Sequence, residues 1–492
     1  MTIRKLFFLF ICILNIAYAK TIHNLDIEKS IKYALEKNYR IQISNNELLQ
    51  NKLRLKSSIN SYKTNIYLNA NLPNHTETMR TYEDSSGIYY YPVKQTIYES
   101  NLIIRQPLPT DGNFYLQFGA YSLRDYYTDI NTMQINSRLK FEQPLEAFYS
   151  YNNIKYSKYR AELNYELSKI NNTQANLDLK YEVNSLFYSL LSKIERRKIA
   201  KQSMESQDEL YQLTKRKFNS GLIAEIEFLQ MEVDLGQATN DYYETITDLT
   251  AEKNEFKQLV GIPLQDSIVI EGDFSYVAIK IDIDKAVERG IKFNQNIKKD
   301  EINKKLVGMN IKYIAKNDKI TGKLSAYYDF IGTSSNDLSL AYSTAFENTY
   351  DELKNHSGNR GIALSLNIPI LDWRVNELLV EAEKVKLKNI KYSLENNKIS
   401  IEKDIRKTVN IIESNLRRLK LLEKNVKVAE KSFSISKKKY ANGDINSQTL
   451  AFNREQLNQA KQSWLDAFIQ YKLMISDLNR KTHYNYEENE YY

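Results

Sequence analysis

One heptapeptide pattern occurs twice, 222 residues apart, and it constrains this chain more than any other feature. Lys215-Arg216-Lys217-Phe218-Asn219-Ser220-Gly221 returns as Lys437-Lys438-Lys439-Tyr440-Ala441-Asn442-Gly443. Each copy sits inside a long stretch with helical spacing of apolar residues, 148–260 and 374–480. The glycine breaks the stretch near its middle, because glycine takes the left-handed conformation that ends a helix. Each stretch therefore predicts a long helix, a turn and a returning helix. At 1.5 Å per residue, a first arm of ~70 residues reaches about 100 Å.

The arms carry a narrow apolar seam. Ile405, Val409, Ile412, Leu416 and Leu419 step by four, three, four and three, the spacing of a coiled coil. Their counterparts in the first copy are Val183, Phe187, Leu190, Ile194 and Arg197, so four of the five pairs are apolar in both. Leu186 adds to the first seam. Beyond the glycines, Leu235-Gly236-Gln237-Ala238 matches Leu457-Asn458-Gln459-Ala460.

The repeat extends upstream. Asp282-Ile283-Asp284-Lys285-Ala286-Val287 repeats Asp26-Ile27-Glu28-Lys29-Ser30-Ile31 at an offset of 256, and Asn294 falls on Asn38. The first of these opens a helix read over 25–61, capped by Asn24 or Asp26 and bent at Asn38-Tyr39.

Between short helix and long arm the period changes from 3.6 to 2. Ile66, Leu68, Ala70 and Leu72 alternate with Asn65, Tyr67, Asn69 and Asn71, a strand with one apolar and one uncharged polar face. Alternation also marks 97–105, 114–123 and 133–141, with a turn at Pro109-Thr110-Asp111-Gly112. In the second copy it marks 324–328 and 362–368. Residues 75–93 and 331–359 read as polar surface loops. Pro144 and Pro369 mark the strand-to-helix junctions, because proline cannot donate to a ladder and disfavours helix before it.

The expected organisation is then as follows. Residues 1–19 are a signal peptide and 20–263 a first repeat with strands at about 64–142 and a tip at Gly221. A linker spans 264–281. A second repeat, 282–480, has strands at about 323–368 and a tip at Gly443. A loose polar tail, 481–492, ends the chain. The leader reading rests on Arg4 and Lys5, an apolar run over 6–16 and the small-x-small site Ala17-Tyr18-Ala19. Cys12, the only cysteine, leaves with it, so the mature chain has no disulfide and no thiolate metal site.

No internal apolar run approaches the ~20 residues of a membrane-spanning helix. A β-barrel remains open, since its alternating strands leave little hydropathy signal, and an Asn-rich polar face suits a water-filled lumen. The net charge of +8 is spread along helices among acids, which fits solvated faces and no nucleic-acid partner. The histidines at 23, 75, 356 and 483 are isolated, and no phosphate-cradling loop is present. Catalytic, cofactor and metal sites are therefore expected to be none.

The basic helix end, the aromatic two residues before Asn/Ser-Gly, and the following helix rich in Gln, Ala and Leu resemble the TolC-like family of outer-membrane efflux proteins. The likeness covers the chain after the leader and appears twice in it. It implies a fold that is mainly α with a membrane β-barrel. A homotrimer would share one outer-membrane barrel continuous with a periplasmic helical barrel. It also implies partners: a periplasmic adaptor, an inner-membrane transporter and outer-membrane lipid. The chain would be the passive exit duct of a tripartite efflux or type I secretion system. The other readings are a periplasmic coiled-coil scaffold and a stand-alone solute pore.

By the same likeness, Ser220, Gly221, Leu222, Asn442, Gly443 and Asp444 form the periplasmic tip that meets the adaptor. Family members often carry aspartates shortly after the second glycine, which narrow the pore entrance. This chain departs there, with Thr449 and Phe452, and the first copy has Glu227 and Gln230. Phe452 either constricts by apolar contact or packs between helices. Glu227 either forms an acidic ring or is solvated. The family's usual two strands per copy are exceeded by the four candidates in the first.

Overall fold

The structure is a computed structural model describing residues 21–491. The expected leader lies outside them. In chain order the elements are β1 (Ile22–Leu25), α1 (Ile27–Lys37), α2 (Tyr39–Asn60), β2 (Asn65–Asp84), β3 (Gly87–Pro107), β4 (Asn113–Asp125) and β5 (Ile130–Pro144). Then come α3 (Glu146–Tyr149), α4 (Asn153–Asn219), α5 (Glu225–Val260), β6 (Ser267–Ile270), α6 (Ile283–Phe293) and α7 (Gln295–Ala315). The rest are β7 (Thr321–Asp337), α8 (Tyr342–Asn355), β8 (Asn359–Asn367), α9 (Val375–Asn442), α10 (Ser447–Thr482), β9 (Tyr484–Asn485) and β10 (Glu490–Tyr491). They fall into two compact units. A helical unit takes 21–47, 169–299 and 394–491, and a sheet unit takes 48–168 and 300–393.

In the helical unit the repeat appears at the level of single hydrogen bonds. Asp26 caps α1 by accepting from the Lys29 N–H (2.7 Å), and Asp282 caps α6 by accepting from the Lys285 N–H (3.1 Å). Asn38 and Asn294 both leave the helix with extended backbone, and each side-chain oxygen accepts the N–H two residues on. What reads as one bent helix over 25–61 is thus two helices hinged on an asparagine. The seam residues then divide into two cores. Val183, Phe187 and Leu190 pack with Ala34, Ile41, Phe256 and Val260. Ile405, Val409, Ile412 and Leu419 pack with Ala286, Phe468, Tyr471 and Ile475. Each large side chain so buried contributes about 1.5–3 kcal/mol.

The expected linker holds a structural element. β6 pairs in parallel with β1, and His23 Nε2 lies 3.0 Å from the Asp266 carboxylate. The last residues also differ from a loose tail. β9 pairs with β10, Tyr486 is buried, and Lys472 pairs with Glu487 at 2.7 Å. The Arg289 guanidinium lies over the Tyr484 ring. Their polar composition hid this, because the anchoring partners lie far away in sequence.

The sheet unit holds six antiparallel strands in the order β2-β3-β4-β5-β7-β8. Register keeps the two faces distinct. One row across the sheet reads Leu68, Leu102, Phe118, Ser137 and Phe330, and the next Ile66, Ile104, Leu116, Leu139 and Tyr328. The opposite face carries Tyr67, Ile103, Gln117, Arg138 and Asp329, then Asn71, Glu99, Tyr121, Gln134 and Thr333. There Arg138 holds Asp329 through two hydrogen bonds of 2.6 Å, a bidentate geometry that suits guanidinium and carboxylate. Pro144 ends β5, and Pro369 stands between β8 and α9.

Two loop readings are corrected. Residues 75–93 are the paired ends of β2 and β3, turned at Asp84–Gly87. Residues 331–359 continue β7 to Asp337 and then form α8. In both segments polar residues on both faces hid the regular backbone.

His483 ends α10 in the left-handed conformation and meets Gln295 Nε2 at 3.0 Å. Burial, and then the nearby Lys298 charge, hold its imidazole below the ordinary value of about 6.5. A depressed histidine favours the fold fully above about pH 6.5, and that contribution is lost as pH falls toward the lower folded value. Amide exchange over 484–491 should therefore quicken between pH 7.5 and 5.5, after correction for intrinsic rates, and His483→Gln should remove the dependence. Burial raises the Glu488 carboxyl, which acts in the opposite direction but nearer its own lower range. An unchanged exchange pattern in the wild type would refute the linkage.

Candidate functional site: the paired hairpin turns

The two glycine turns share one geometry. Gly221 has φ +73° and Gly443 φ +89°, the left-handed region where a side chain costs about 1–2 kcal/mol. The Gly221 N–H donates to the Phe218 carbonyl (2.8 Å), and the Leu222 N–H to that of Lys217 (2.9 Å). The Gly443 N–H donates to Tyr440 (3.1 Å), and the Asp444 N–H to Lys439 (2.9 Å). Both are Schellman closures, which satisfy the last carbonyls of a helix. Around them Ser220, Leu222, Asn442 and Asp444 are exposed.

After the glycine the two turns differ. In the second, Asn446 caps α10 by accepting from the Thr449 N–H (3.0 Å) and from the Thr449 hydroxyl (2.8 Å). In the first, Ala224 occupies the cap position of α5 and offers no side-chain acceptor. Glu225 and Glu227 stand in that first turn, where their charge suits the helix N-terminus. Of the four candidate constriction residues, Thr449 has a cap partner and Gln230 bonds Asp234 (2.9 Å). Glu227 is half-buried. Phe452 is 62% exposed, so this chain alone does not pack it.

The two hairpin ends lie side by side. Leu210, Met231, Tyr440 and Leu450 form a small shared core with Tyr211, Leu213, Phe433 and Ile445 around it. The Tyr440 hydroxyl lies 2.8 Å from that of Thr214, and Lys217 Nζ donates to the Tyr440 carbonyl at 2.8 Å. Burial raises the Tyr440 phenol, so it stays a neutral partner for Thr214. Further along, Arg454 reaches Gln207 and lies 3.7 Å from the Asp234 carboxylate, with both charged side chains mostly buried. Lys437 pairs with Glu209 at 2.6 Å on the surface, where such a pair contributes little. Phe228 stacks between Phe218 and Tyr211.

The sequence reading assigned no role to Thr214, Tyr440, Gln207, Asp234 or Arg454. Tyr440 stands in the repeated motif itself, so its position was a usable signal. Arg454, Asp234 and Gln207 come from three helices and carry no shared local pattern.

The cap asymmetry gives a test. Asn446→Ala should cost about 1 kcal/mol and speed amide exchange around 443–450 about fivefold. Ala224→Ser should instead slow exchange around 222–228, because it supplies the missing acceptor. Equal responses at the two turns would contradict the assignment.

A search of curated proteins finds no match. The fold is similar to the CmeC outer membrane channel of Campylobacter jejuni, at 13% identity over 93% of this chain and 85% of that one, with a TM-score of 0.67. It is also similar to a membrane protein from Pseudomonas aeruginosa, at 13% identity over 93% and 92%, with a TM-score of 0.69. The open state of the MtrE outer membrane channel of Neisseria gonorrhoeae gives 14% identity over 93% and 88%, with a TM-score of 0.65. The sequence pattern of the outer membrane efflux protein family matches residues 113–262 and 331–476. This chain belongs to that family, whose members are efflux channels of the outer membrane and not enzymes.

Proposed function

We propose that this chain is the exit duct of a tripartite efflux or type I secretion system. Three copies form one channel through the outer membrane, with a large periplasmic part. A periplasmic adaptor and an inner-membrane transporter deliver the cargo, and the duct itself is passive. The observation that carries this reading is the two-faced sheet. Its apolar face is exposed, with Ile362 at 81%, while the other face is richer in Asn, Gln and charged side chains. Among the described residues the outer edges of β2 and β8 pair with no strand. In hydrocarbon such open edges are too costly to persist, so the sheet must close. Three walls of six strands make a barrel of eighteen, a size that leaves an aqueous channel.

The helices support the same assembly. Ile226, Leu229 and Val233 on α5 are exposed at spacings of three and four, and Leu421, Val428 and Ile435 on α9 at spacings of seven. Such stripes are seams for a neighbouring helix. We assign the adaptor contact to Ser220, Gly221, Leu222, Asn442, Gly443 and Asp444. Of the candidate gate residues, Phe452 and Glu227 are the ones left available to line a constriction.

Two measurements test this. Phe452→Ala should raise the single-channel conductance of the purified trimer in a planar bilayer, and an unchanged value would leave Phe452 as packing between copies. Gly443→Pro should abolish export in cells while the outer-membrane trimer persists. Normal export at normal protein levels would remove the tip from the adaptor contact.

A further inference from the structure

Helix α8, in the sheet unit, is explained by neither the strand pattern nor the duct reading. It lies on the apolar face of the sheet. Ala345 and Thr349 are fully buried against β5 and β7. The Ser334 hydroxyl donates to the Ala345 carbonyl (3.2 Å) and meets the Thr349 hydroxyl at 2.6 Å. Asn348 donates to Asn336 (3.3 Å), and the Tyr342 ring takes the Arg124 guanidinium. Arg124, Gly332, Ser334 and Asn336 share the face of Phe118 and Phe330, since they differ from them by even steps along their strands. Gly332 makes the seat possible: a Cβ there would run into the Thr349 carbonyl and the Leu353 backbone.

The helix sits where the apolar band ends. Toward the sheet centre the face reads Leu68, Leu102, Phe118 and Phe330, and at the Tyr342 end of the seat it reads Arg124, Asn131 and Asn336. Its outward side is polar, with Glu347 and Asp351 exposed. Phe346 and Tyr350, which stack on each other, remain about half exposed along the flank that faces the band. Between this flank and the sheet runs an apolar groove of about 680 Å³, walled by Leu68, Leu102, Phe118, Phe330, Phe346 and Tyr350. The Lys354 ammonium folds back over the Tyr350 ring, toward the polar end of the face. That is the posture of a lysine whose stem lies in an apolar layer and whose charge seeks water.

We propose that α8 is an interfacial helix on the outside of the barrel, and that its groove holds an acyl chain of the surrounding lipid. The polar side of the helix meets the headgroup layer, as for amphipathic helices lying in the membrane plane. The groove is continuous with the apolar band, so the occupant that fills it without a new interface is the bilayer itself. The helix thereby fixes the height of the bilayer on the β5–β7 side of each wall. This rests on the reading of the sheet as a barrel wall.

The test uses the full-length protein in vesicles of phosphatidylcholine with brominated acyl chains, in a background of Trp373→Phe and Trp464→Phe. Single tryptophans are placed by Phe346→Trp on α8, Leu139→Trp lower on the band and Tyr90→Trp on the distal hairpin. Brominated lipid should quench the first two at least twofold and leave the third unchanged. Quenching of Leu139→Trp without Phe346→Trp overturns the proposal and leaves the barrel standing, with water or another chain in the groove. Absence of quenching at both sites sinks the barrel reading and the helix proposal together. Adding Gly332→Val to Phe346→Trp should reduce its quenching at least twofold, because the seat is blocked. Unchanged quenching there overturns the seat on Gly332.

Discussion

In the proposed duct the sheet faces hydrocarbon, where a backbone must satisfy every N–H and C=O from within the protein, and the rest of the proposed assembly follows from that demand. No helix among the described residues is long and apolar enough to cross a membrane. The six-stranded sheet is the element with an exposed apolar face, and its edge strands β2 and β8 have no outer partner among the described residues. A monomer would leave both edges open to lipid. The requirement for neighbours is thus carried by the backbone. Side chains then sort the two surfaces: leucine, isoleucine and phenylalanine on one, and asparagine, glutamine and the Arg138–Asp329 pair on the other. The pair persists on that side because its geometry is bidentate: Asp329 is buried, and the partly exposed Arg138 neutralises it.

The fold was legible where local chemistry repeats. Asp26 and Asp282, Asn38 and Asn294, and Gly221 and Gly443 each specify a cap or a turn through hydrogen bonds a few residues long, so a single sequence exposes them. The seam at Ile405, Val409 and Ile412 was legible because burial follows the helical period. The outer half of the β2–β3 hairpin was not. There both faces are mainly polar: Thr76, Thr78 and Arg80 lie on one, and His75, Glu77 and Thr81 on the other, with Met79 the lone aliphatic residue among them. The four-residue turn at Asp84–Gly87 was visible, yet the strands flanking it carried no period. Helix α8 was obscured differently. Its buried positions are Ala345 and Thr349, too small to give an apolar period, and the seat depends on Gly332, which lies far away on β7.

The tip shows the same division. The motif gave the turns, since each is closed by its own backbone. The contacts between the turns are long-range and escaped notice. Tyr440 reaches Thr214 across 226 residues, and Arg454 reaches Gln207 across 247. Such contacts tie the two repeats to each other within the helical unit, so the hairpin ends form one packed group in this chain. Movement of one turn must then break the Tyr440–Thr214 and Lys217–Tyr440 bonds or carry the other turn with it.

The duplication therefore did not leave two equivalent ends. The first turn enters its helix through Ala224 with Glu225 and Glu227 behind it, uncapped and acidic. The second enters through Asn446, whose side-chain oxygen caps the helix by accepting from both the N–H and the hydroxyl of Thr449, and then presents Phe452 to solvent. An uncapped N-terminus has free N–H groups and frays at low cost, whereas a capped one holds its first turn. In the proposed duct, an entrance that widens would yield first at the uncapped first hairpin and last at the capped second one. Phe452, a proposed constriction residue, stands on the capped side, and Glu227 stands on the uncapped one.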